Sequence, residues 1–77
     1  MSPPRKHSLT LGGHRTSVSL EDEFWKGFKE MAEARGLGIN ALASEIDAAR
    51  GQETGLATAI RLAVLAFYRD GSARASA

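Results

Sequence analysis

The chain has 77 residues, 43% of them hydrophobic, and a formal net charge of +1 at pH 7. This length allows one domain, and the apolar content excludes a chain that is disordered throughout. The absence of cysteine excludes disulfides and thiolate metal sites, and two histidines are too few for a convincing zinc site. A core this small is often stabilised by oligomerisation, so we expect more than one copy in the assembly.

Positive charge is concentrated near the N-terminus. Residues 1–20 contain three bases and no acid (+3), whereas residues 21–77 contain seven bases and nine acids (−2), which sum to +1. This favours a local surface for an anionic partner, with a solvated basic tail as the alternative. No stretch reaches the roughly 20 apolar residues of a membrane helix, and no apolar run follows the first bases as in a signal peptide. We therefore expect a cytoplasmic protein without a membrane partner.

Residues 1–12 predict either a basic arm or an extra strand. Within them Lys6–Leu11 alternates weakly, with Leu9 and Leu11 as its apolar positions. Gly12-Gly13 then favours a turn, because glycine tolerates positive φ. A chain that folds back here forms a hairpin and widens the sheet, and both interpretations remain open.

The next segment, Arg15–Leu20, predicts the main strand. Basic and hydroxyl side chains alternate with less polar ones, so the two sets lie on opposite faces. The polar set is Arg15, Ser17 and Ser19, and the other set is Thr16, Val18 and Leu20. One short strand cannot form a stable sheet alone. Its simplest partner is the same strand of a second copy, antiparallel across a two-fold axis.

Three helices are predicted after the strand, within a domain that spans residues 13–70. Phe24, Phe28 and Met31 recur at helical spacing in the first. The first helix is predicted to start near Glu21 and to stop at Gly36. The second is predicted from Ile39 to Ala49, with Gly38 as its cap. The third is predicted to have Thr54 as its N-cap and to end at Arg69 or Asp70. Residues 71–77 are expected to form a flexible tail.

The segment HRTSVSLEDEFWKGFKEMAEARGLGINALASEI resembles the ribbon-helix-helix DNA-binding family of the Arc and MetJ repressors. It is most similar to a bacterial subgroup of small proteins with a GHRTSVSLE-type strand. The resemblance covers about residues 13–50, so the third helix is an addition to the minimal fold. It implies a mainly α fold with a short β-ribbon, assembled as an intertwined homodimer.

The resemblance also implies which side chains reach DNA bases. In the family, alternating outward residues of the ribbon strand contact base edges, and the matching residues here are Arg15, Ser17 and Ser19. The chemistry agrees, because arginine can bond guanine O6 and N7 together, while serine donates or accepts. Ser19 has an alternative role as a cap before the first helix.

Phosphate contacts are implied at other positions. The start of the family's second helix offers backbone amides to a phosphate, and the matching residues here are Gly38, Ile39 and Asn40. A helix N-terminus suits this role, since it carries free N–H groups and a positive dipole. Further candidates for phosphate contact are Arg5, Lys6 and His14.

Together these features predict a homodimeric regulator of transcription, such as a repressor, that binds double-stranded DNA and requires no cofactor. Its β-ribbon would lie in the major groove, which admits two strands. The alternative is a homodimeric interaction module of the same fold that does not bind DNA and contacts another protein through the third helix. We do not expect an enzyme, because no nucleophile–base pair, metal set or phosphate loop is recognisable.

Overall fold

Two strands are followed by three helices. The computed structural model describes the backbone of residues 2–76 and the side chains of residues 2–70. The elements are β1 (Arg5–Leu11), β2 (His14–Leu20), α1 (Asp22–Ala34), α2 (Ile39–Ala49) and α3 (Leu56–Ser76). The predicted class, mainly α with a short β-ribbon, is confirmed. The expected tail, 71–77, lies outside the residues whose side chains are described.

The ribbon is a hairpin formed within one chain. β1 pairs antiparallel with β2 in a register that runs from Leu11 opposite His14 to Arg5 opposite Leu20. Gly12 and Gly13 have φ values of 55° and 85°, the left-handed conformations that a two-residue hairpin turn of type I′ requires. The expectation that the main strand stands alone is therefore wrong. Its partner on one edge is β1, because the glycine pair reverses the chain.

The inner face of the hairpin closes the core. Leu9, Val18 and Leu20 lie on this face, and none is more than 4% exposed. The buried residues that complete the core are Phe28, Ala32, Leu42, Ala43, Ile60 and Val64. All five elements thus contribute to one core, and β1 is an integral strand of the fold instead of an arm.

The end of α1 follows the predicted stop. Gly36 has a φ of 68°. Its N–H donates to the carbonyl of Glu33, and the N–H of Leu37 donates to the carbonyl of Ala32 at 2.9 Å. These two bonds define a Schellman motif, for which glycine is the favoured residue because it adopts positive φ without strain. The tight turn leads directly into α2, whose bounds agree with the prediction.

Ser2 supplies the hydroxyl at the start of α1. Its Oγ accepts the N–H of Asp22 at 3.2 Å and donates to the carboxylate of Glu23 at 2.8 Å. This hydrogen bond holds the pKa of Glu23 below its ordinary value. The capping residue of α1 is Glu21, without a side-chain cap bond. The alternative role of Ser19 as the cap of α1 is therefore wrong.

α3 starts after Gly55, and not after the cap predicted from sequence. The N–H of Ala59 donates to the carbonyl of Gly55 at 2.9 Å. Thr54 remains in the preceding loop, where its carbonyl accepts the guanidinium of Arg50 at 2.8 Å. α3 then crosses α1 at Gly27, where a Cβ would lie 2.7 Å from Cγ1 of Val64. The missing side chain lets the two helices approach closely.

Candidate nucleic-acid interface

The hairpin presents an exposed polar face on the side opposite the core. This surface, which we call the ribbon face, consists of Lys6, Ser8 and Thr10 from β1 and Arg15, Ser17 and Ser19 from β2, all of them exposed. The register sets Lys6 opposite Ser19, Ser8 opposite Ser17, and Thr10 opposite Arg15. The six side chains comprise two cations, four hydroxyls and no carboxylate.

This combination of groups suits the surface of duplex DNA. Paired strands lie about 4.8 Å apart, and the major groove of B-DNA is about 12 Å wide, so it admits a two-stranded ribbon. A guanidinium donates two hydrogen bonds to one guanine, and an ammonium neutralises phosphate. Hydroxyls donate or accept, so they adapt to either kind of base edge. The ribbon face therefore carries donors, acceptors and positive charge on a support that is only two strands wide.

The structure brings four of the sequence-predicted site residues together. Arg15, Ser17 and Ser19 form one row of the ribbon face, and Lys6, predicted as a phosphate contact, lies in the neighbouring row. Ser8 and Thr10 complete that row and were missed. The weak alternation of Lys6–Leu11 is the sequence signal for these two residues. It places them on the outer face only if the segment is a strand that pairs with β2.

Two other predicted phosphate contacts do not lie on the ribbon face. Arg5 has the register of the inner face, and its Nε lies 3.7 Å from Oδ1 of Asp22. His14 is exposed beside the turn, opposite Leu11, and so has inner-face register as well. Because alternate residues of a strand point to opposite faces, neither side chain lies in the same row as Arg15.

The start of α2 lies beside the outer edge of β1. Asn40 accepts the backbone N–H of Thr10 through its Oδ1 at 2.9 Å. Gly38 occupies the N-cap position, without a side-chain cap bond, and the first turn contains no acid. The amides near Gly38 and Ile39 thus start a helix close to the ribbon, whereas the side-chain oxygen of Asn40 already has a partner.

Arg61 of α3 forms hydrogen bonds at the C-terminal end of β2. Its Nε donates to Oε1 of Glu21 at 2.9 Å, and its Nη2 donates to the other carboxylate oxygen at 3.2 Å. The same Nη2 donates to the carbonyl of Ser19 at 3.3 Å. These bonds from the guanidinium lower the pKa of Glu21. The pair joins residues 40 positions apart, so no local sequence pattern indicates it.

Aromatic rings behind the ribbon hold β1 against α1. His7 stacks on Trp25 with ring centroids 3.9 Å apart and an interplanar angle of 7°. Trp25 in turn contacts Phe28, which is fully buried. The rings are therefore part of the support of the ribbon and not a surface on which bases stack.

A family model of the ribbon-helix-helix domain matches residues 4–68. The chain belongs to the ribbon-helix-helix family. The match extends beyond residues 13–50, over which the resemblance was seen in the sequence, and it includes β1 and most of α3. No curated protein and no solved structure is similar enough to the chain to count as a match.

Ribbon-helix-helix domains are generally DNA-binding regulators that form homodimers and are typically not enzymes. Among the residues that the structure describes, no three of His, Cys, Asp or Glu lie close enough together to hold a metal ion. None of the described helices is both long and apolar enough to cross a membrane. The ribbon face is the candidate site on this ribbon-helix-helix domain, an exposed strand surface with two cations, four hydroxyls and no carboxylate.

Proposed function

We propose that this ribbon-helix-helix protein binds specific DNA sequences through its ribbon face and regulates transcription, as a repressor that occupies its operator. The main support for the proposal is the composition of that face, with two cations and four hydroxyls on a two-stranded hairpin and no carboxylate. Family membership supports the same function. No cofactor is required, because bound protein blocks access of the polymerase by its presence alone.

The residues of the ribbon face have different roles in this proposal. Arg15 donates to a guanine edge, and Ser17 and Ser19 contact neighbouring base edges. The backbone amides at the start of α2, near Gly38 and Ile39, contact a phosphate beside the groove. A helix N-terminus with no acid in its first turn supports this role.

A homodimer presents two such ribbons, so the operator is a palindrome or a repeat. α3 offers a surface for the second copy. Leu56–Tyr68 contains one charged residue, Arg61, and the side of α3 away from the core exposes Leu62 by 56% and Leu65 by 49%. Two exposed leucines close together on one side of a helix favour a neighbour that covers them.

The spacing on this side of α3 favours another α3 as the neighbour. Four residues on this side of α3 follow at intervals of four, three and four, which is the spacing of the contact positions in a packed helix pair. They are Thr58, Leu62, Leu65 and Arg69, so two exposed leucines lie between two polar residues. An antiparallel pair sets Leu62 against Leu65 of the second copy. It also keeps the two Arg69 side chains apart, which a parallel pair does not.

The test starts from the purified chain and a pool of random duplex DNA, from which bound sequences are selected. The affinity of the selected duplex is then measured by fluorescence anisotropy at several salt concentrations. We expect Arg15→Ala to weaken binding about ten- to a hundredfold, as loss of a bidentate guanine contact does. The control is Lys29→Ala, which removes the same charge from an exposed position on α1 and should leave the affinity unchanged.

Two results would contradict the proposal. One is the absence of salt-sensitive duplex binding, and the other is equal binding by Arg15→Ala and the wild type. Either result would favour the interaction module, in which α3 binds another protein. Sedimentation of Leu62→Glu, which we expect to shift the chain toward the monomer, tests the α3 interface independently of DNA.

A further inference from the structure

We propose that Asn40 is a positioning residue for DNA binding, because its side chain fixes the start of α2 to the ribbon at the position beside Arg15. This inference rests on the proposed function, in which the ribbon face and the start of α2 contact DNA together. The resemblance implies a phosphate contact for the backbone at Asn40. The inference concerns its side chain, which the structure engages within the chain.

The contact of Asn40 uses a backbone N–H at the outer edge of β1. In a two-residue hairpin the residues that flank the turn, Leu11 and His14, form a hydrogen-bonded pair. By alternation, the backbone groups of Thr10 point away from β2. The Oδ1 of Asn40 accepts the N–H of Thr10 at 2.9 Å. Because this edge is the one away from β2, the contact leaves the other edge of β2 available to a second copy.

Thr10 is the direct neighbour of Arg15 across the hairpin. The two residues follow the hydrogen-bonded pair at the turn, so they form a non-hydrogen-bonded pair. In such a pair the Cα atoms are about 4.5 Å apart and the side chains are close. Arg15 is the residue proposed to donate to a guanine edge. Asn40 therefore holds α2 to the backbone position next to the main base contact.

The other end of the link is the first turn of α2, whose amides are the proposed phosphate contact. The N–H of Leu42 donates to the carbonyl of Gly38 at 3.0 Å. The amides that precede Leu42 have no partner within the helix. Asparagine often caps a helix start, but here its oxygen is directed to β1. The side chain of Asn40 thus sets where these amides lie relative to the ribbon.

The hydrogen bond contributes direction more than stability. Asn40 and Thr10 are both exposed, so water competes for the same groups. Apolar burial holds the two elements together, since Leu9 of β1 and Leu42 and Ala43 of α2 are buried in one core. Apolar contact is non-directional. Among the residues whose side chains are described, no other hydrogen bond joins α2 to the hairpin.

Loss of this link is expected to weaken only the specific complex. That complex requires the base contact of Arg15 and the phosphate contact of α2 at the same time, so the distance between them must match the DNA. Binding to an unrelated sequence is mainly electrostatic. The side chain of Asn40 carries no charge, so its removal leaves that binding as it is. The expected result is a loss of discrimination between sequences.

The binding test compares full-length variants on two duplexes, the one selected by the wild type and one with the same bases in scrambled order. We expect Asn40→Ala to weaken binding to the selected duplex about fivefold, the effect of one ordinary hydrogen bond, and to leave binding to the scrambled duplex unchanged. The control is Gln52→Ala, which removes a carboxamide from an exposed position beyond the other end of α2. It should match the wild type on both duplexes.

Amide hydrogen exchange of the free chain, followed by NMR, tests the contact without DNA. In Asn40→Ala the N–H of Thr10 should exchange about fivefold faster than in the wild type. The N–H of Leu9, which points toward β2, should keep its rate and so show that β1 remains folded. Asn40→Asp retains the acceptor oxygen and should keep the N–H of Thr10 protected.

The outcomes separate this inference from the proposed function. An unchanged exchange rate of Thr10 in Asn40→Ala would overturn the inference. Equal weakening on both duplexes would do so too, because a lost phosphate contact acts on all sequences alike. A third contrary result is binding of the selected duplex by Asn40→Ala as tight as by Gln52→Ala. In each case, weaker binding by Arg15→Ala leaves the proposed function standing. If Arg15→Ala also binds like the wild type, or no duplex is bound, both are overturned.

Discussion

Arg61 is the side chain that joins the third helix to the end of the ribbon. It forms two hydrogen bonds with the carboxylate of Glu21, and the side chains of the pair are only 29% and 15% exposed. Its guanidinium also lies 5.9 Å from the centre of the Phe24 ring. By contrast, Arg5 and Asp22 are 72% and 46% exposed in their ion pair. The Arg61–Glu21 pair is therefore the ion pair with the greater structural role.

The protonation of Glu21 predicts a dependence of stability on pH. The folded chain holds the pKa of Glu21 below its ordinary value of 4.5. The stabilisation from its ionised form is fully present above that ordinary pKa and is lost as pH falls through the lower, folded pKa. The difference in unfolding free energy between the wild type and Glu21→Gln should therefore shrink below about pH 4.5.

Urea denaturation of both chains across the acid range measures this difference. The carboxylate of Glu23 also has a lowered pKa, but it is present in both chains and cancels from the comparison. A difference that stayed constant or increased on acidification would show that Arg61 does not stabilise the ionised form of Glu21.

At the scale of the elements, the turn between the strands determines whether β1 joins the fold. Gly13 has a φ of 85°, and a Cβ there would meet no other atom. Gly13→Ala therefore reports backbone strain alone, which costs about 1–2 kcal/mol for a left-handed residue. Gly51→Ala is the matched control, since Gly51 is also exposed with open space around it but has no positive φ. Thermal or urea denaturation should show a loss of stability for Gly13→Ala only.

Sequence patterns predicted the elements best where the signals are local. The bounds of α2 follow from Gly38 and from the apolar stripe of the helix. Strict alternation within Arg15–Leu20 predicts which side chains face the core and which face outward. β1 stayed ambiguous, because Leu9 and Leu11 are its only apolar positions and its partner strand is not encoded in its own pattern. The cap of α3 was misplaced, because Gly55 offers no side chain as a signal.

The part of the candidate site that depends on local sequence patterns was predictable, and the part that depends on contacts between distant residues was not. The row of Arg15, Ser17 and Ser19 follows from alternation within one strand. Thr10 was missed, because its place on the ribbon face depends on how the neighbouring strand pairs. The bonds of Asn40 and Arg61 to the strand edges join residues 30 and 42 positions apart, and only the folded chain brings them together.

At the scale of the whole molecule, the structure makes β1 part of the core. Leu9 is 1% exposed and packs among residues from the other four elements. Leu9→Ala should therefore lower the free energy of unfolding by about 2–5 kcal/mol, as other truncations of buried leucine do. Leu62→Ala removes the same atoms from a side chain that is 56% exposed in one chain, and it should have a much smaller effect at low protein concentration.

Chemical denaturation of the two variants at micromolar concentration separates these cases. Equal, small losses would mean that residues 5–11 form an arm that does not contribute to folding. A larger loss for Leu9→Ala would agree with a hairpin that is an integral part of the folded core.

An NMR titration of the ¹⁵N-labelled chain with the selected duplex locates the DNA-binding surface residue by residue. We expect the largest shift changes at the amides of the ribbon face and at the start of α2. The amides of α1 around Lys29 should change little. Changes confined to α3, or no change at any residue when the duplex is in excess, would contradict a DNA-binding ribbon.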